Sequence, residues 1–444
     1  MLLSPAIVVM AALAVPPVPV VTETAVLDAP SPTVSATFGI IVGISGDRII
    51  ATGPEKSRSS GAVGQVATFD LETTGTWAPR REMLAIEGTL AEHMLLGRVA
   101  LGGNWLLVSD ERRDGGNSGV ITFERDPSPS GWRQAGRLQP LASAAEPAFG
   151  ANIVCDGSIA AISTVDMRVL GEQARTVQES PKVYLFQSTP EGWKGLGFLQ
   201  RDPVQKPKFF GAALSLTPKQ LVIGSPNAIV AAPHQELVVG GASAVVIYRQ
   251  NEQGLWAIDG ELNPPPGYSD WLGYGTGVAS DGDIVVVRAA KVTGPGGKLF
   301  VYHRSASGWD YEGELKPLSD IVAGAGWGIT VAVADGRVVV GDPTALSGQS
   351  TGYIGVFARR DDGMWGESVR LKSTVPVSTA RWGVSVKAEG NRVLVARPVA
   401  ERDGVTTGGA LLYNLPPTDQ APAVIPTDLV PTADAPLLAP SRGP

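Results

Sequence analysis

A recurring unit constrains this chain more than any other feature. Seven times an aromatic or apolar residue precedes a glycine: Phe38-Gly39, Leu96-Gly97, Phe149-Gly150, Phe210-Gly211, Leu272-Gly273, Trp327-Gly328 and Trp382-Gly383. The glycines are 58, 53, 61, 62, 55 and 55 residues apart. A turn follows each pair, at Gly46-Asp47, Gly103-Asn104, Asp156-Gly157, Thr217-Pro218, Asp281-Gly282, Asp335-Gly336 and Glu389-Gly390. A second apolar run comes next (Val338-Val339-Val340, for example), then a third (Tyr353 to Phe357), and Trp77, Trp132, Trp193, Trp256, Trp309 and Trp365 head a fourth run in six of the seven units. Short runs rich in Val, Ile and aromatics, bounded by Asp-Gly and similar pairs, read as strands joined by hairpin turns.

Four strands in series make an antiparallel meander. One such sheet cannot bury both of its faces, so neighbouring sheets must cover them, and bending the array into a ring leaves few exposed edges. The period and the strand count therefore predict an all-β chain, a seven-bladed β-propeller with four-stranded antiparallel blades. Residues 21–31 read as a fourth run, whereas the seventh unit stops at Leu411-Leu412-Tyr413 without one. An N-terminal strand is thus predicted to complete the last blade and close the ring.

Phe-Gly, an apolar strand and then Gly-x-Pro, as at Gly224-Ser225-Pro226 and Gly341-Asp342-Pro343 and in shortened form at Gly53-Pro54, resembles the FG-GAP repeat. The resemblance covers Thr22 to Leu415. It implies the seven-bladed propeller of integrin α chains and of many bacterial extracellular proteins, and it speaks to fold rather than to function.

The ends differ from the middle. Residues 1–20 are apolar and uncharged. They resemble a signal-peptide core, with Ala12-Leu13-Ala14 as a small-residue cleavage site, although no basic residue precedes it. Pro5, Pro16, Pro17 and Pro19 leave too short a run for a stable membrane span. The expectation is an exported protein, at the cell surface, in the periplasm or secreted. The propeller should occupy 21–415 and a Pro/Ala-rich disordered tail 416–444. A net charge of −7 offers neither a footprint for nucleic acid nor a basic stripe for anionic lipid. The single Cys155 excludes an intrachain disulfide. The chain is expected to be a monomer.

Little in the sequence points to reaction chemistry. FG-GAP relatives often carry an Asp-rich calcium loop between first and second strands, because a hard cation needs several oxygen ligands. Here those links are tight turns with one or two carboxylates, so no metal and no cofactor is expected. His93, His234 and His303 fall at different repeat positions, which disfavours a shared site. Ser225 is not followed by a helix and is no nucleophile elbow. Asp361-Asp362 and Asp110-Glu111 read as solvated turns rather than an acid–base pair. The register-fixed tryptophans read as packing between blades.

The links between second and third strands vary in length while the strands do not, and variable loops on a rigid scaffold are where recognition usually sits. The long links 165–181 and 227–242, from adjacent units, are expected to form a wall. Glu111, Arg112, Arg113 and Asp114, with Glu401, Arg402 and Asp403, are the candidate ligand-binding residues. The leading expectation is a non-enzymatic propeller that binds a protein or glycan through these links. The rivals are a hydrolase or lyase with a site over the central funnel, and a structural envelope component.

Overall fold

The computed structural model describes residues 18–28, 38–54, 64–82, 84–86, 99–110, 118–140, 146, 148–165, 181–201, 209–226, 228–231, 236–239, 243–268, 273–290, 296–318, 326–347, 350–375, 382–402 and 405–417. Every regular element among them is a strand. Seven antiparallel meanders follow one another, each ordered first to fourth strand. Their first strands are Ile41–Ser45, Val99–Gly102, Ile153–Cys155, Ala213–Thr217, Gly273–Ser280, Thr330–Ala334 and Val386–Glu389. Each of these touches the first strand of the blade on either side, and the contact of Val386–Glu389 with Ile41–Ser45 completes the circle. The chain is a seven-bladed β-propeller with the first strands innermost, around an axial channel.

The core is distributed accordingly. Seven hydrophobic clusters exist, and each lies between two blades rather than within one. Alternation explains this: along the second strand of blade 6, Val338 and Val340 face blade 5, while Val339 faces blade 7. The residue before each repeat glycine plugs its interface. Phe38, Phe149, Phe210 and Trp327 are at most 2 % exposed. In the fifth unit the expected Leu272-Gly273 is not the counterpart. The glycine in the left-handed region is Gly275, φ 92°, preceded by the fully buried Tyr274. A Cβ on Gly275 would lie 3.1 Å from the Ser225 nitrogen of blade 4, so the close approach of backbones requires glycine there. Leu96-Gly97 lies outside the described residues.

The tryptophans of the fourth strands bridge backwards to the preceding blade. Trp132 Nε1 donates to Thr68 Oγ1 at 2.8 Å, Trp309 Nε1 to Asp259 at 3.3 Å and Trp365 Nε1 to Glu312 at 2.7 Å. Trp193 meets Trp105 edge-on, with centroids 5.3 Å apart. Asp259 and Glu312 are the unpaired residues of β-bulges between third and fourth strands. The bulge turns each carboxylate toward the next blade's indole.

The rim that carries the first-to-second turns, the turn face, is stitched from blade to blade. Gly46 N–H donates to both Glu389 carboxylate oxygens at 3.0 Å, and Gly103 N–H donates to Ser45 Oγ at 2.9 Å. Gln220 Nε2 donates to Gly282 O at 2.9 Å and Gly336 N–H to Asp281 Oδ2 at 3.2 Å. At Asp335-Gly336 both φ values are positive, 55° and 68°, as a two-residue type I′ hairpin demands. The fully buried Arg48 is the strongest stitch. Its Nε donates to Asp70 at 2.7 Å, its Nη1 to Gly131 O at 2.8 Å, and its guanidinium lies 4.7 Å from the Trp132 ring centre. Arg80 holds the same carboxylate.

Ring closure is made by Ala25–Asp28, which pairs antiparallel with the third strand of blade 7 in the register Ala25↔Leu412 to Asp28↔Gly409. Leu27 enters the cluster between blades 7 and 1 and is 2 % exposed. Just before it, Val20–Thr22 adds a fifth, parallel strand to blade 6, opposite Arg370, Leu371 and Lys372. That second attachment was not expected from the sequence. Glu23, between the two, accepts from the Thr374 N–H and hydroxyl at 3.0 and 2.7 Å. One segment thus ties the last two blades together.

Two outcomes follow from these contacts. Leu27→Ala should lower unfolding stability by about 2–4 kcal/mol, whereas the neighbouring Val26→Ala, at a side chain 39 % exposed, should change it by less than about 0.5 kcal/mol; urea denaturation of both variants measures the difference. Burial alone would push the Asp70 carboxyl up, but Arg48 and Arg80 hold it below its usual value. Asp70 therefore stabilises the fold above about pH 4 and loses that contribution as the pH falls toward its depressed folded value. Asp70→Asn leaves Arg48 buried without its charge partner, a loss of about 3 kcal/mol, and should flatten the acid limb of a stability–pH profile.

Candidate functional site

The opposite rim, the link face, carries the second-to-third links and the connections between blades. Among the described residues, blades 4, 6 and 7 raise hairpins there. In blade 4, Ala228–Ala231 and Glu236–Val239 form a separate two-stranded sheet. In blade 6, the long strands Arg337–Ser347 and Ser350–Arg359 lose register after Asp342↔Tyr353 and pair again at Leu346↔Thr351 and Ser347↔Ser350. In blade 7, Arg392–Arg402 and Val405–Asn414 break after Arg397↔Gly409 and resume at Ala400↔Thr407 through Arg402↔Val405. Each break falls at a proline: Pro226, Pro343 or Pro398. Proline has no N–H to give a ladder and fixes φ, so the strand pair is interrupted and redirected where it leaves the ring. This is the physical content of Gly-x-Pro in this chain.

Near this rim the second strands of four blades carry a charged residue. Asp110, Asp342 and Arg397 occupy one register in blades 2, 6 and 7, and Arg288 of blade 5 lies one position earlier, at the level of Gly341. Arg288 Nε donates to Trp327 O at 3.2 Å and its Nη1 to Thr276 Oγ1 at 3.4 Å. Burial pulls its pKa down to about 10, against the favourable field of Asp342. Asp342 is fully buried and accepts from the Thr344 N–H at 2.9 Å and hydroxyl at 2.8 Å, while Thr344 Oγ1 accepts from Gly326 N–H at 2.8 Å. Arg397 pairs with Asp28 of the closing strand, and Arg137 pairs with Asp110. These pairs hold the hairpin bases rather than present charge to a ligand. Asp110, expected in a solvated turn, is instead 8 % exposed and paired with Arg137; the others went unread because they end apolar runs, although a charge at one register in three of seven runs was the signal.

Of the residues singled out from sequence, Glu111, Arg112, Arg113, Asp114 and Asp403 lie outside the described residues. Glu401 and Arg402 sit at the tip of the blade 7 hairpin, opposite Thr406 and Val405. The expected wall from links 165–181 and 227–242 lies largely outside the described residues; within it, Ala228–Ala231 pairs with Glu236–Val239.

His303 is on the third strand of blade 5, opposite Ile284 and Asp310; His93 and His234 lie outside the described residues. Asp362 Oδ1 accepts from Met364 N–H at 2.9 Å within an exposed turn. Among the described residues no group of three His, Cys, Asp or Glu side chains is placed to hold a metal ion, and no helix is long and apolar enough to cross a membrane. Burial pushes the Cys155 thiol up to about 12, which leaves it protonated at neutral pH.

No family model matches the chain, and no curated protein sequence is similar to it. Similar solved structures exist at low identity. The β-propeller domain of the Trilobed protease from Pyrococcus furiosus is 9 % identical, with a TM-score of 0.46, covering 84 % of this chain and 91 % of that one. An acylaminoacyl peptidase from Pyrococcus horikoshii is 10 % identical, with a TM-score of 0.43, covering 84 % of this chain and 50 % of that one. A puromycin hydrolase is 12 % identical, with a TM-score of 0.39, covering 88 % and 55 %. The chain spans about half the length of those last two proteins. The expectation that the chain is not an enzyme is withdrawn, since the similar structures are a protease domain, a peptidase and a hydrolase. At this identity the likeness concerns the fold and assigns no substrate.

Proposed function

We propose that this propeller is a recognition module that engages a protein or glycan partner on its link face, as an exported or envelope protein of FG-GAP type. The observation that carries the reading is the asymmetry of the two rims. On the turn face, Gly46 N–H, Gly103 N–H, Gly282 O and Gly336 N–H are each bonded to the neighbouring blade. On the link face, blades 4, 6 and 7 project hairpins beyond the ring among the described residues. Among the described residues, the second strand of blade 7 past Arg397 pairs with its own third strand alone, which leaves both outer edges of that hairpin without a described strand partner. Such edges favour a polypeptide segment added as a further strand over a glycan. The apolar N-terminal segment and the absence of a disulfide-forming pair are compatible with export, where ring packing alone must hold the fold.

The test replaces residues 399–406 by a two-residue turn and compares the variant with the unaltered chain on a displayed-peptide library and a glycan array. The proposal expects enriched ligands for the unaltered chain, at least roughly ten-fold weaker binding by the variant, and an unchanged melting temperature. Equal binding by both proteins would contradict it.

A further inference from the structure

The first strands carry two charged residues among their described positions, Lys387 and Glu389. Glu389 is occupied at the turn face by Gly46 N–H and by Arg392 at 2.5 Å. Lys387 is one ring level higher. The ladder defines that level in every blade: Lys387 faces Leu394 as Gly43 faces Ile50, Ala100 Leu107, Val154 Ala161, Ser215 Val222, Ala279 Val286 and Ala332 Val339. The six counterparts are small or β-branched and sit buried or half-buried where the inner strands converge. Lysine is the one long side chain at this level, and it is exposed. With the seam to blade 1 closed by Leu394, Ala396, Val42 and Ile49, the open direction is the channel.

No hydrogen bond or ion pair engages the Lys387 ammonium among the described residues. The adjacent inner strands, Ile41–Ser45 and Thr330–Ala334, bring no charged group to it, and the arginines of its own blade are taken by Glu389 and Asp28. Partial desolvation by the surrounding protein lowers its pKa from the ordinary lysine value. A second donor lies beside it. Val386 N–H points across the inner edge to Thr330 Oγ1 at 3.0 Å. Strand period places the Ala388 N–H on that same edge, facing the axis.

We propose that the axial channel binds a small carboxylate anion, held by the Lys387 ammonium with the Ala388 amide. A cation without a partner among the described residues and with a backbone N–H beside it, the acid on its own strand being held by Gly46 and Arg392, is the complement of an oxyanion with two acceptor atoms. The site is independent of any partner on the link face.

The experiment is a calorimetric titration of the full chain with acetate, using chloride at equal ionic strength as the control, on the unaltered protein, Lys387→Met and Lys387→Arg. The expected result is acetate binding that weakens roughly ten-fold or more in Lys387→Met and survives in Lys387→Arg. In parallel, the carbon-13 resonance of reductively methylated lysines that is missing from Lys387→Met should titrate below the others and move upward with acetate, not with chloride. Acetate binding unchanged by Lys387→Met, equal responses to chloride and acetate, or a resonance indifferent to acetate would overturn the proposal.

Discussion

The packing of one blade's face against the next is the interaction on which everything else in this molecule depends. No blade has a core of its own; all seven clusters are shared between neighbours. A blade at the end of an open array would expose half of its apolar residues, so the circle has to close, and the last interface matters as much as the first six. The chain closes it with material from the other terminus. Leu27, far from blade 7 in sequence, fills the interface between blades 7 and 1 together with Phe38, Leu394 and Leu412.

Much of this was legible in the residues. Glycines preceded by aromatics marked the entry to most blades, Asp-Gly pairs marked the turns, and the missing fourth run of unit seven announced the closing strand. Two things were not legible. In unit five, Leu272-Gly273 and Tyr274-Gly275 are both apolar–glycine pairs, and only the positive φ and the burial of Tyr274 decide between them. The parallel strand Val20–Thr22 leaves no periodic trace in three residues; it exists because the outer edge of blade 6 lies beside the path to blade 7. The chemistry was harder to read than the fold. A charge ending an apolar run, as at Asp342 or Arg397, looks like a boundary until the ladders place these ends at one level.

The two rims divide the work. On the turn face, short hairpins and cross-blade bonds such as those of Arg48 and Glu389 fix the angle between blades and leave little for a partner. On the link face, Pro226, Pro343 and Pro398 interrupt the ladders and release hairpins from a rigid base. Between the rims the channel is nearly free of charge, which gives the single ammonium of Lys387 an influence that a surface lysine would not have.

Closure by the N-terminal strand is tested most directly by native-state hydrogen exchange at residues 25–28 and 409–412. If the ring is one cooperative unit, the bonded amides of this ladder exchange as slowly as those of the central strands, such as Val338–Val340, through global unfolding. Exchange in this ladder that is faster by orders of magnitude, with the central strands still protected, would show that the last blade opens separately and that the ring is not closed in the way described.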